Sequence, residues 1–221
     1  WLAKDDSNLC VMAWQKMVDV FGLGGVSIEL EKRIPAGGGL GGGSSNAATI
    51  LKGLRKLYEL DVSDDELENI GIDLGADVPF FIKGKTQIGD GIGEILKPIK
   101  TVINGCYLLV APDLHIDTKW AYGEFKNILD RPNEIVNFLG FIRKEIIPFE
   151  LFENDFEAIV VPAYPEIGQI KNSLRVHGAR FASLSGSGST VFGVFDEDAD
   201  AKSAESHFSS RYNTFITNPT L

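Results

Sequence analysis

The segment that most constrains this chain is Pro35-Ala36-Gly37-Gly38-Gly39-Leu40-Gly41-Gly42-Gly43-Ser44-Ser45-Asn46-Ala47-Ala48. Glycine admits positive φ and lets backbone N–H groups reach a ligand with no Cβ in the way. The segment follows an alternating stretch, Val26 to Glu31, and feeds an alanine-rich stretch with helical spacing, Ser44 to Leu60. A loop that opens a helix in this way presents free amides and the positive end of the helix dipole, which suits a phosphate chain. Ser44 and Ser45 add hydroxyls for phosphate or Mg²⁺. A flexible linker is the plain alternative, but linkers do not normally join a periodic strand to a periodic helix. Two other phosphate loops are excluded. A dinucleotide fold needs an acidic residue ending a following strand, and here a second helix follows. A Walker A loop ends in Gly-Lys-Ser/Thr, whereas this one ends Gly43-Ser44-Ser45.

Periodicity organises the rest. Ser7 or Asp6 is positioned to cap a helix carrying Leu9, Met12, Ala13, Met17 and Val20, which Gly22 stops. Val26 to Glu31 has the period of a half-buried strand, and Ser63 with Glu66 forms a capping box. Short strands are expected at Phe80 to Lys83, Thr86 to Ile88, Glu94 to Ile99 and Tyr107 to Val110. Helices are expected over 117–142 and 151–176, with a break near Pro148 and a division near Pro162 to Pro165; strand, loop, strand, helix and strand close the chain. Elements mix without strict βαβ alternation, which predicts an α+β fold. The expected division is 1–113 and 114–221.

Composition removes several function classes. With 44% hydrophobic and 24% charged residues the chain is an ordinary folded protein, and no apolar run approaches the ~20 residues of a membrane helix. A formal net charge of −10 opposes nucleic-acid binding. Cys10 and Cys106 are too few for a disulfide framework and read as packing residues of a protein in a reducing compartment, expected to be cytoplasmic. His115, His177 and His207 lack metal-ligand spacing and receive no role.

The loop, with its Gly-Leu-Gly core and Ser-Ser ending, resembles the phosphate-binding motif of the GHMP kinases. Its extra glycines and its ending, Ser-Ser-Asn-Ala-Ala, resemble the branch acting on a cytidine diphosphate sugar-alcohol in non-mevalonate isoprenoid (terpenoid) biosynthesis. Leu74-Gly75-Ala76-Asp77-Val78-Pro79-Phe80-Phe81 with Gly91-Ile92-Gly93-Glu94 is similar to that branch's acidic active-site segment. Ser183-Leu184-Ser185-Gly186-Ser187-Gly188-Ser189 resembles its C-terminal glycine motif. The resemblance implies a two-domain GHMP fold, with an S5-domain-2-like N-terminal part and a ferredoxin-like C-terminal part. It also implies ATP and Mg²⁺ as cofactors, a small-molecule alcohol as acceptor, and no membrane partner.

Residue by residue, the resemblance implies that Pro35, Ala36, Gly37, Gly38, Gly39, Leu40, Gly41, Gly42, Gly43, Ser44 and Ser45 bind ATP and that Asp77 is the catalytic base. A turn-capping carboxylate is the plain alternative for Asp77. Gly186, Ser187 and Gly188 would support the nucleotide loop and substrate, or simply form a tight turn; Thr118 and Tyr122 would contact the cytidine, though Trp120 and Tyr122 equally suit packing. No metal ligands are assigned. The family's Ala-Lys-x-Asn-Leu strand motif has no counterpart, since Lys4 and Asn8-Leu9 are not credible substitutes. The chain is therefore expected to be N-terminally incomplete and weak in turnover as it stands. Kinases of mevalonate, homoserine or sugars, and a non-catalytic relative, are the competing expectations.

Overall fold

The computed structural model describes residues 5–91, 93, 95–99, 104–125 and 152–219. The chain forms two compact units, Trp1–Ala36 with Gly41–Lys100, and Gly37–Leu40 with Thr101–Leu221. Four residues of the glycine-rich segment thus belong with the second unit, while the residues on either side belong with the first.

The first unit is built on helices α1 (Leu9–Phe21), α2 (Gly42–Leu57), α3 (Asp64–Ile72) and α4 (Val78–Lys83), followed by the hairpin of β1 (Gln87–Asp90) and β2 (Ile95–Pro98). Asn8, rather than Ser7 or Asp6, caps α1 by accepting from the Cys10 amide, and Gly22 ends it in the left-handed conformation. Ser63 and Glu66 form the expected capping box on α3. Ala13 and Met17 of α1 meet Ala47, Ala48, Leu51 and Leu54 of α2 in a core closed by Leu67, Leu74, Val78 and Ile82.

Two expected strands are absent. Phe80 to Lys83 lies in helix α4, with proline in its first turn and Gly84 as its C-cap. Val78 and Ile82, four residues apart, are both buried. Over so short an apolar run, periodicity does not separate strand from helix, and the buried pair decides it. Val26 to Glu31 joins neither sheet. Alternation describes which side chains turn inward, but a strand also needs a hydrogen-bonding neighbour, and the described residues supply none. Just before this segment, Trp14 and Tyr58 donate to the Gly24 carbonyl.

The second unit contains β3 (Cys106–Ala111), α5 (Thr118–Phe125), α6 (Glu157–Ala163), α7 (Pro165–Val176), β4 (Phe181–Leu184), β5 (Val191–Phe195), α8 (Asp198–Phe208) and β6 (Asn213–Thr217). Its antiparallel sheet has the order β4-β5-β3-β6. With helices between β3 and β4 and between β5 and β6, this is the ferredoxin-like βαββαβ arrangement. Cys106, Leu108 and Val110 alternate inward on β3 and meet Ile167, Ile170 and Leu174 of α7 and Ala201, Ala204 and Phe208 of α8. The division expected at Pro162 to Pro165 is the α6–α7 junction. The helix expected over 126–142 and the break near Pro148 lie outside the described residues, as do Lys4, Ile92 and Glu94. Both cysteines are buried; burial, with a hydrogen bond to Asp198 adding, pushes the Cys106 thiol up to about 11.

Gly105 leads into β3 at φ +128, and a Cβ there would lie 2.4 Å from the Phe195 carbonyl oxygen. Gly105→Ala should therefore lower unfolding free energy by about 2–4 kcal/mol through backbone strain and overpacking. Urea denaturation reads this directly, and an unchanged midpoint would show that the strand entry relaxes freely.

Candidate active site

The glycine-rich segment takes left-handed backbone at every second position, with Gly37 at φ 71, Gly39 at φ 72 and Gly41 at φ 61. Alternation of this kind turns successive N–H groups into a concave anion-binding nest. Gly41 is the N-cap of α2 and supplies no side-chain cap, so the first-turn amides are left for another acceptor. A Cβ on Gly41 would sit 2.7 Å from the Phe81 ring, and one on Gly42 would sit 3.0 Å from the Lys32 Nζ. Lys32 thus brings a positive charge to the positive end of a helix. Among the described residues it has no ion-pair partner. Burial pushes the Cys10 thiol up, and the nearby Lys32 charge opposes that shift. An anion bound at this helix start would satisfy both positive features.

Asp77 is on the turn that links α3 to α4. It occupies the N-cap position of α4, yet its side chain makes no capping hydrogen bond and the residue is exposed. The turn-capping alternative therefore does not describe this carboxylate. A Cβ on Gly75, two residues earlier, would lie 3.9 Å from the Ser44 Oγ, so this turn borders the first turn of α2.

In the second unit, residues 37–40 pack against the loop that joins β4 to β5. Ser185 Oγ donates to the Gly39 carbonyl at 2.9 Å, and the Thr190 amide donates to the Gly38 carbonyl at 3.1 Å. A Cβ on Gly39 would lie 2.0 Å from the Ser185 carbonyl oxygen and 2.8 Å from that of Gly188. Ser187 Oγ lies 3.1 Å from Thr118 Oγ1, which brings two of the expected substrate residues together. Tyr122, one turn further along α5, is 56% exposed and meets Phe156 edge-on. Trp120 instead packs against Tyr164 and the core. Of the two aromatics, Tyr122 is the more exposed.

Sequence reasoning placed Ser185 in the C-terminal glycine motif without giving it a role of its own, and passed over Lys32, Thr190 and Asn154. Lys32 stands in the ordinary charged run Glu31-Lys32-Arg33, with no local signal of where its ammonium ends. Asn154 lies just before a helix, where its Oδ1 accepts from the Phe156 amide and its amide group reaches further, to the Leu184 carbonyl. His177 and His207 rings stand 4.2 Å apart, a proximity their sequence separation hides. Among the described residues no group of three or more metal-ligating side chains converges, and no helix is long and apolar enough to cross a membrane.

A model of the GHMP kinases N-terminal domain matches residues 8–85, and one described as GHMP kinases C terminal matches residues 145–214. The 4-diphosphocytidyl-2-C-methyl-D-erythritol kinase of Prosthecochloris aestuarii is 40% identical over 220 residues, covering 96% of this chain and 76% of that protein. The protein of the same name from Chlorobium phaeobacteroides is 42% identical over 224 residues, covering 99% and 78%. A crystal structure of 4-(cytidine 5'-diphospho)-2C-methyl-D-erythritol kinase is similar with a TM-score of 0.83 at 32% identity, over 97% of this chain and 79% of that one. Fold, loop and relatives define an ATP-dependent kinase of small molecules. The chain belongs to the GHMP kinase family.

Proposed function

We propose that this kinase transfers the γ-phosphoryl group of ATP to the 2-hydroxyl of 4-diphosphocytidyl-2-C-methyl-D-erythritol, in the cytoplasm. The observation that carries the reading is the uncapped, glycine-lined start of α2, in a chain 40% and 42% identical to two kinases of that name. Pro35 to Ser45 take the triphosphate, with the nest amides and Lys32 opposing its charge. The hydroxyl oxygen attacks the γ-phosphorus in line, the bond to the β,γ-bridging oxygen breaks, and ADP leaves with that electron pair. Asp77 accepts the hydroxyl proton. Because charge is spread over the transferring group, fixed amide dipoles lower the barrier more than proton removal does.

Mg²⁺, when bound, would supply neutralisation of the triphosphate charge. It is usually held by few protein ligands plus phosphates and water. The hydroxyls of Ser44 and Ser45 at the α2 start fit that limited role. Thr118 and Tyr122 take the cytidine end, where stacking on an aromatic ring typically contributes ~1–3 kcal/mol, and Gly186, Ser187 and Gly188 support the loop. A coupled ADP-release assay of the full-length protein, run with this alcohol, mevalonate, homoserine and a sugar, tests the reading. Turnover is expected with the cytidine diphosphate alcohol alone, giving a new phosphomonoester by ³¹P NMR. Preference for another alcohol would reassign the substrate, and no turnover with any would remove the kinase reading.

A further inference from the structure

We propose that Asn154 is a positioning residue for nucleotide binding, holding the β4–β5 loop so that residues 37–40 keep their phosphate-binding shape. The proposal rests on the kinase reading above. Asn154 Nδ2 donates to two carbonyls, Leu184 and Gly186, each at 2.8 Å, while its Oδ1 accepts from the Phe156 amide at 3.0 Å. One side chain thereby joins the entry of α6 to the loop. Glu157, on the next turn, reinforces the join: its Oε1 accepts from Ser183 Oγ at 2.9 Å and from the Leu184 amide at 2.8 Å, and its Oε2 pairs with Lys171.

A purely structural account covers part of this. Among the described residues β4 is an edge strand, and its outer edge presents backbone groups that need partners. Glu157 and the first Asn154 bond satisfy Leu184 in that sense. The second Asn154 bond is different, because Gly186 lies beyond the strand and outside the ladder. Gly186 is left-handed at φ +55, and a Cβ on it would stand 3.3 Å from the Gly39 carbonyl oxygen. The residue that Asn154 fixes is therefore in contact with Gly39, whose own carbonyl accepts from Ser185. Left-handed glycines at 186 and 188 leave the loop with little steric preference of its own. Restraint must come from outside, and Asn154 reaches the loop where it meets Gly39.

Asn154→Asp is nearly isosteric and keeps the acceptor for the Phe156 amide, but it replaces the donor group with an oxygen facing two carbonyls. In the full-length protein, the Kd for a non-hydrolysable ATP analogue and the KM for ATP should both rise about tenfold or more, with kcat per folded molecule changed much less. Ile170→Val, in the core of the same unit, serves as the control for lost stability alone; its KM and Kd should match wild type. Asn154→Ser retains an oxygen that can accept from the Phe156 amide but is too short to serve both carbonyls, and it replaces Asn154→Asp if that variant does not fold. Kd and KM within about twofold of wild type in a folded variant would limit Asn154 to the strand edge and overturn the proposal. Failure of the wild-type protein to bind the analogue would instead strike the kinase reading, and the proposal would fall with it.

Discussion

Gly39→Ala is expected to weaken ATP-analogue binding by about a hundredfold or more while lowering the thermal unfolding midpoint by no more than roughly ten degrees. Gly39 sits at φ +72, and the added methyl would lie 2.0 Å from the Ser185 carbonyl and 3.0 Å from the Gly188 amide nitrogen. These are backbone atoms, so no rotamer change relieves the contact. A left-handed alanine adds strain of about 1–3 kcal/mol, and the clash drives residues 37–40 out of register with the loop that holds them. Two lost hydrogen bonds, from Ser185 to Gly39 and from Thr190 to Gly38, follow. Gly39 lies outside both hydrophobic cores, which is why the effect falls on binding. Gly53→Ala is the contrast: it lies within α2 with open space around its Cβ position. That change should gain about 0.5–1 kcal/mol of stability from helix propensity and leave affinity alone. Isothermal titration of both variants settles the comparison, and a Gly39→Ala affinity within threefold of wild type would show that the segment is not the phosphate site.

Asp77→Ala should lower turnover by at least ~10²-fold, the scale of a general acid–base group, with nucleotide affinity nearly intact. Stability carries the second half of this test. Removing a capping carboxylate typically costs about 1 kcal/mol, yet Asp77 makes no capping bond and its loss should leave the denaturation midpoint in place. A variant that turns over normally but unfolds more easily would return Asp77 to the role of a turn residue.

The parts of this molecule that are legible in its sequence are those whose cause is local. Gly22 and the Ser63–Glu66 box mark helix ends because a single residue type solves the backbone problem there. The closing strand, loop, strand, helix and strand follow from period and glycine alone. Sequence pattern misleads where a neighbour decides the outcome. Phe80 to Lys83 is helical because Val78 and Ile82 share one core, and Val26 to Glu31 lacks a paired strand among the described residues. The site divides in the same way. Gly37, Gly39 and Gly41 announce left-handed backbone, whereas Lys32 and Asn154 reach atoms that lie distant in sequence. For those two residues, only the folded chain shows what each reaches.

A crystal structure of the full-length protein with a non-hydrolysable ATP analogue and Mg²⁺ shows where the triphosphate sits. The account places phosphate oxygens within hydrogen-bonding distance of the amides of residues 39–45, with the Asp77 carboxylate facing the terminal phosphorus across the space for the acceptor hydroxyl. A triphosphate seated away from the start of α2, or an Asp77 carboxylate turned from its terminal phosphorus, would contradict it.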